Sequence, residues 1–157
     1  MFDTINGLPL HPLIVHAVVV LLPLSILGVL ALVIRPAWRA RYGVLVAACA
    51  LIATILIPVA TQSGESLEKR VGDPGQHAHL GDQLLWFAIP VLIVAVALVL
   101  VERGVTDRIA RRPVAGVVVS VIAVVAAVAA GVQVYRVGDS GARAAWGDQV
   151  SGSAQGK

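Results

Sequence analysis

Four histidines carry the strongest hint of chemistry in this sequence. His11 and His16 stand in "LPLHPLIVH", at the mouth of a long apolar run, and His77 and His79 stand in "GQHAHLGDQLLWF", just before another. An ionisable side chain in a membrane-crossing segment is costly enough to be a functional candidate by default. Imidazole carries the least of that cost because it is neutral at physiological pH, and its ring nitrogens ligate metals. A b-type haem needs imidazoles from two facing helices, an apolar slot for the macrocycle and cations near the membrane surface for its propionates. His16 and His79 suit the two sides of the iron, with His11 as an alternate. Trp86 suits the face of the macrocycle, and Lys69, Arg70 and Arg143 suit the propionates.

Other chemistries compete for the same residues. Several imidazoles, with Glu65, suit a copper or zinc site, although no spacing matches a finger or protease motif. Glu65, Thr61 and a histidine would also serve proton-linked transport, but the polar groups stop near one edge of the apolar runs instead of reaching mid-depth. Capping or a loop position accounts for His11 and His77 more readily than ligation does, and structural hydrogen bonding stays open for His16 and His79. A small assembly or stability subunit without chemistry is the remaining alternative. Ser63 and Ser140 sit in no nucleophile elbow or recognisable triad, so a redox carrier or a non-enzyme fits better than a hydrolase.

The elements that must position these residues are membrane spans. In 157 residues, 58% are apolar and 13% charged, beyond what a soluble core of this size needs. Crossing a hydrocarbon core of about 30 Å takes roughly 20 helical residues, and four runs meet or approach this: 13–34, 42–60, 84–101 and 114–135. The expected fold is all-α, an up-down-up-down four-helix bundle in a lipid bilayer. The first span, with no basic residue before Arg35, reads as a retained helix and not as a signal peptide. The lone Cys49, inside the second span, reads as a packing residue. The net charge of +3 is spread over short loops and forms no basic face, so nucleic acid is not an expected partner.

The basic residues report topology instead. Seven of the twelve lie in two short connections: Arg35, Arg39 and Arg41 in the first, and Arg103, Arg108, Arg111 and Arg112 in the third. The positive-inside rule makes both cytoplasmic, which puts both termini and all four histidines on the outer side.

Face assignments follow from the 3.6-residue period. His16, Val20, Pro23 and Leu27 share one face, as do Thr54, Pro58, Thr61 and Glu65, and His79, Gln83, Trp86 and Pro90. A mid-helix proline frees a carbonyl that should turn toward protein, so these three stripes are expected to face inward. The fourth span has Gly116, Ser120, Ala123, Ala127 and Gly131 at three- and four-residue spacing, a small-residue packing face. The stretch "SGESLEKRVGDPGQHAHLGD" is expected to be the one long loop. The membrane domain is expected to end near residue 147, with the segment around Arg143 to Trp146 folded back over the outer site at the interface and 148–157 disordered.

The motifs "LPLHPLIVH", "HAHLGD" and "YRVGDSGARAAWG" together resemble a bacterial family of four-span membrane proteins with an HPLxVH signature, catalogued as a domain of unknown function, and this version is similar to its actinobacterial branch. The resemblance covers nearly the whole chain and is looser at "TQSGE". It matches His11, Pro12, His16, His79, Gly138, Ser140, Gly141 and Trp146, and leaves His77 outside the pattern. It implies the bacterial cytoplasmic (inner) membrane. Some relatives are joined to cytochrome c-like modules, which implies haem b, electron transfer and an external redox partner by association. Self-association through the fourth span stays open.

Overall fold

A computed structural model describes the backbone of residues 4–5, 8–72, 75–104 and 113–154, and the side chains of 11–69, 72, 75–104 and 116–146. A two-residue antiparallel pair, Thr4–Ile5 with Leu8–Pro9, precedes the first helix. Four long helices follow: α1 (Leu10–Ile34), α2 (Arg39–Val71), α3 (Gln76–Glu102) and α4 (Pro113–Ala154). A turn of 3-10 helix, Pro36–Trp38, joins α1 to α2. Each long helix contains a stretch apolar and long enough to cross a membrane. The chain is an integral membrane four-helix bundle.

The helices outrun the apolar spans. Pro12 lies in the first turn of α1, where its missing N–H removes no intrahelical bond. α2 continues past Ala60 through Thr61 to Val71, so its 33 residues extend about 50 Å. Nothing in that stretch breaks a helix until Gly72, whose φ of 98° ends α2 while its N–H bonds to the Glu68 carbonyl. Gly75, with φ of 60°, leads directly into α3. The expected long loop is therefore corrected to a short connection, and His77 and His79 ride on the first turns of α3. α4 likewise runs unbroken to Ala154, so Arg143 to Trp146 belong to the spanning helix and do not fold back over the bundle end. Of the expected disordered tail, residues 155–157 lie outside the described residues.

In the bundle each helix packs on the next, α4 closes on α1, and α1 meets α3 across the middle. The seam is made by Val18, Leu22, Val29 and Leu32 of α1, Ala53 and Ile57 of α2, Ala88, Val91 and Leu98 of α3, and Ala123, Ala127 and Ala130 of α4. The small-residue face of α4 is thus a contact face: Ala123, Ala127 and Ala130 have no exposed surface. Gly28 allows a similar approach of α1 to α2, since a Cβ there would come within 2.7 Å of Val46. Hydroxyls within the spans are satisfied by their own helices, as in Ser25 to Leu21 O at 2.7 Å and Thr54 to Ala50 O at 2.7 Å.

The inward-face expectation fails for the proline stripes of α1 and α3. His16, Val20 and Leu27 are exposed, and so are His79, Trp86 and Pro90. Thr54, Pro58 and Thr61 are half-buried, and Glu65 is exposed. The reason is that these helices are apolar on every side, as helices in lipid are, and the faces that interdigitate are those with the better-fitting shapes. A single freed carbonyl does not outweigh that packing.

Candidate functional site

At the end of the bundle where α1 and α3 begin, the structure brings His11 and His77 into the helix interfaces and leaves His16 and His79 on the outside. His11 reaches from α1 to α2: its Nδ1 lies 3.0 Å from the Ala60 carbonyl oxygen and 3.1 Å from Ser63 Oγ. Its ring lies over Gly64, where a Cβ would come within 3.1 Å of His11 Cε1. His77 repeats this between α3 and α4. Its Nδ1 is 3.1 Å from Val137 O and 3.4 Å from Ser140 Oγ, and its ring lies over Gly141, where a Cβ would come within 2.9 Å of Cε1.

The two arrangements share their sequence offsets. In each, a Ser–Gly dipeptide on the receiving helix supplies the hydroxyl and the bare backbone, and the residue three before the serine supplies the carbonyl. Each serine also donates to that carbonyl, Ser63 to Ala60 at 2.9 Å and Ser140 to Val137 at 3.0 Å. A carbonyl oxygen only accepts, so Nδ1 of both histidines carries the proton. In the neutral ring this fixes the tautomer with the lone pair on Nε2, and neither Nε2 has a hydrogen-bond partner among the described residues.

This is the outer arrangement that ligating histidines use: one ring nitrogen donates to a backbone carbonyl, which orients the ring and raises the basicity of the other. Gln133 adds a further fastening. It is buried on α4 and donates to Leu80 O of α3 at 2.9 Å, one turn beyond His77.

Both histidines line two clefts. One, of about 290 Å³ between α2 and α3, is bordered by Glu65, Glu68 and Asp82. The other, of about 560 Å³, lies among α1, α3 and α4 and is walled by Val15, Leu22, Leu84, Val134 and the small residues Gly138 and Gly141. Its size falls in the range of small-molecule sites.

The remaining expected residues fall elsewhere. His16 borders the larger cleft but is exposed, and its Nδ1 donates to Pro12 O on its own helix. His79 is exposed and accepts from Gln83 Nε2 at 3.2 Å. They do not oppose each other across the bundle interior. Trp86 is 73% exposed on the outer surface of α3, away from any interior slot. Arg143 is exposed and paired with Asp139 of the preceding turn at 2.9 Å. Among the described residues no three His, Cys, Asp or Glu side chains come together closely enough to hold a metal ion, whereas catalytic zinc sites use three protein ligands.

Residues 7–154 match the profile of a family described as predicted membrane protein (DUF2231). The chain belongs to that family. No curated protein and no solved structure matches it. Within this DUF2231 member, the residues that sequence reasoning overlooks are Ser63, Gly64, Ser140 and Gly141 as partners of the rings. The available signal was a Ser–Gly dipeptide in each receiving helix, Ser63–Gly64 in α2 and Ser140–Gly141 in α4, although α4 carries a second one at Ser151–Gly152.

Proposed function

We propose that this membrane protein is a redox carrier that binds a b-type haem at the histidine end of the bundle, with His11 and His77 as the iron ligands in place of His16 and His79. The observation that supports the reading is the matched pair of imidazoles. Both present a free Nε2, both are locked at Nδ1 by a carbonyl of the facing helix, and both border the same apolar cleft. A haem held by two histidines would use imidazoles from two helices and an apolar slot between them. A catalytic zinc centre uses a third side chain, and among the described residues none joins the two histidines. His11 and His77 would be the residues that hold a haem, with the apolar cleft beside them as its pocket. Haem, when bound, supplies one-electron transfer. The chain's own residues orient each ring through its Nδ1 bond and offer valine and leucine walls to the group.

The histidine end faces outward in this reading, because Arg35, Arg39, Arg41 and Arg103 lie at the opposite end. Electrons then pass to or from an external partner in the bacterial cytoplasmic membrane. Cysteine labelling with a reagent that does not cross the membrane should modify Asp73→Cys and Ser151→Cys in whole cells but not Thr106→Cys, each in a Cys49→Ala background. Labelling of the Thr106 position alone would invert the topology and remove the external partner.

The cofactor itself is tested by purifying the protein from cells supplied with haem precursor. A Soret band with split low-spin bands on reduction is expected, together with stoichiometric iron. A colourless protein carrying stoichiometric copper would assign the same imidazoles to a metal ion. A colourless, metal-free protein that copurifies with a partner would leave the assembly-subunit reading.

A further inference from the structure

The opposite end of the bundle carries a different site, independent of the histidines. Where α1 turns into α2, a cleft of about 440 Å³ opens on the bundle surface between the two helices. Its walls are almost wholly apolar, including Leu24, Ala31, Leu45 and Cys49, and its mouth is framed by Trp38 and Tyr42. The two rings meet edge to face at 5.9 Å. Each carries a cation: Arg35 Cζ lies 5.9 Å from the Trp38 ring centroid and Arg41 Cζ 5.4 Å from that of Tyr42. Arg39 stands apart from this mouth: it spends its Nε on the Leu32 carbonyl at 3.0 Å and borders a groove between α1 and α4. No acidic residue occurs between Asp3 and Glu65, and among the described residues none of the three arginines pairs with a carboxylate.

We propose that this cleft is a binding site for an anionic phospholipid, one acyl chain lying along the α1–α2 groove and the phosphate meeting Arg35 and Arg41. Two features select that occupant. The groove lies in a span that sits in hydrocarbon, so an acyl chain fills it without desolvating any polar group. Two guanidiniums without carboxylate partners among the described residues, Arg35 and Arg41, stand on the aromatic rings where that chain would emerge, and guanidinium matches phosphate oxygens by paired hydrogen bonds. A zwitterionic headgroup offers the same phosphate, but its own cation offsets the attraction to the arginines. The aromatic rings hold Arg35 and Arg41 at the mouth, which lowers the entropy lost when the phosphate arrives.

The test reads Trp38 fluorescence in the full chain, with Trp86→Phe and Trp146→Phe removing the other indoles. The protein is reconstituted in phosphatidylcholine vesicles that contain an equal minor fraction of brominated phosphatidylglycerol or brominated phosphatidylcholine. Quenching by the brominated phosphatidylglycerol should correspond to a preference of roughly fivefold for each arginine engaged. Arg35→Gln combined with Arg41→Gln should bring the ratio close to unity, while circular dichroism confirms an unchanged helix content. Ala31→Leu, which fills the groove and keeps the charges, should also reduce quenching by the anionic lipid. Equal quenching by the two lipids in the unsubstituted protein would overturn the proposal, as would a preference that survives both sets of substitutions. Loss of the preference on adding inorganic phosphate at constant ionic strength would also overturn it, by assigning the cluster to a free anion.

Discussion

Gly141→Ala is expected to leave the bundle folded at close to its native stability while removing His77 from its place. A Cβ at this position would stand 2.9 Å from His77 Cε1 and 3.0 Å from Nδ1, so something must move. The imidazole is the movable part, and the shift takes Nδ1 away from the Val137 carbonyl. Losing that hydrogen bond costs about 1 kcal/mol, and alanine in place of glycine in a helix returns about the same amount. The two nearly cancel in the melting temperature.

They do not cancel at the site. Without its carbonyl partner the ring is free to exchange tautomers and to turn Nε2 away from the cleft. Loss of such an orienting contact lowers ligand affinity by about 10–100-fold. Gly138→Ala is the control on the same helix, since nothing lies within 4 Å of a Cβ there. It should stabilise α4 by about 0.5–1 kcal/mol with no change at His77. Ring ¹⁵N resonances of histidine-labelled protein report the tautomer directly. The unsubstituted protein should show His77 protonated at Nδ1, and Gly141→Ala should show a mixture. A Gly141→Ala protein that keeps the single tautomer would mean that the ring is not held by this helix.

The number and order of the helices were legible because each carries an uninterrupted apolar stretch, which only a membrane tolerates at this density. Their ends were not. Hydropathy falls at Thr61 and again at Arg136, but helices stop where backbone conformation demands it, and in α2 that is Gly72 with its positive φ. Residues such as Gln62, Glu65, Leu67 and Glu68 continue a helix into water as readily as Leu56 continues it in lipid.

The inward face was legible only on α4. There Ala123 and Ala127 mark close approach, although a Cβ at Gly116 or Gly131 would meet nothing within 4 Å, and on α1 and α3 an all-round apolar surface gives the 3.6-residue period nothing to report. The histidine site was half legible. Its location at one end followed from topology, but the choice between His11 and His16, or His77 and His79, depends on Ser63–Gly64 and Ser140–Gly141. Those dipeptides lie some fifty to sixty residues downstream in sequence and meet the rings only when the helices pack.

The central claim is that His11 and His77 are the ligand pair and that His16 and His79 are bystanders on the lipid-facing and solvent-facing surface. Removing either ligand leaves iron with one imidazole, so the effect on a low-spin spectrum is total and does not grade with stability. Removing either bystander deletes a hydrogen bond within its own helix, to Pro12 or to Gln83, worth about 1 kcal/mol at most. The decisive measurement is the reduced absorption spectrum of four single variants, His11→Ala, His77→Ala, His16→Ala and His79→Ala, purified from haem-supplied cells. Loss of the split low-spin bands in the first two with their retention in the last two is the predicted result. Retention in His11→Ala and His77→Ala, with loss in His16→Ala and His79→Ala, would contradict it.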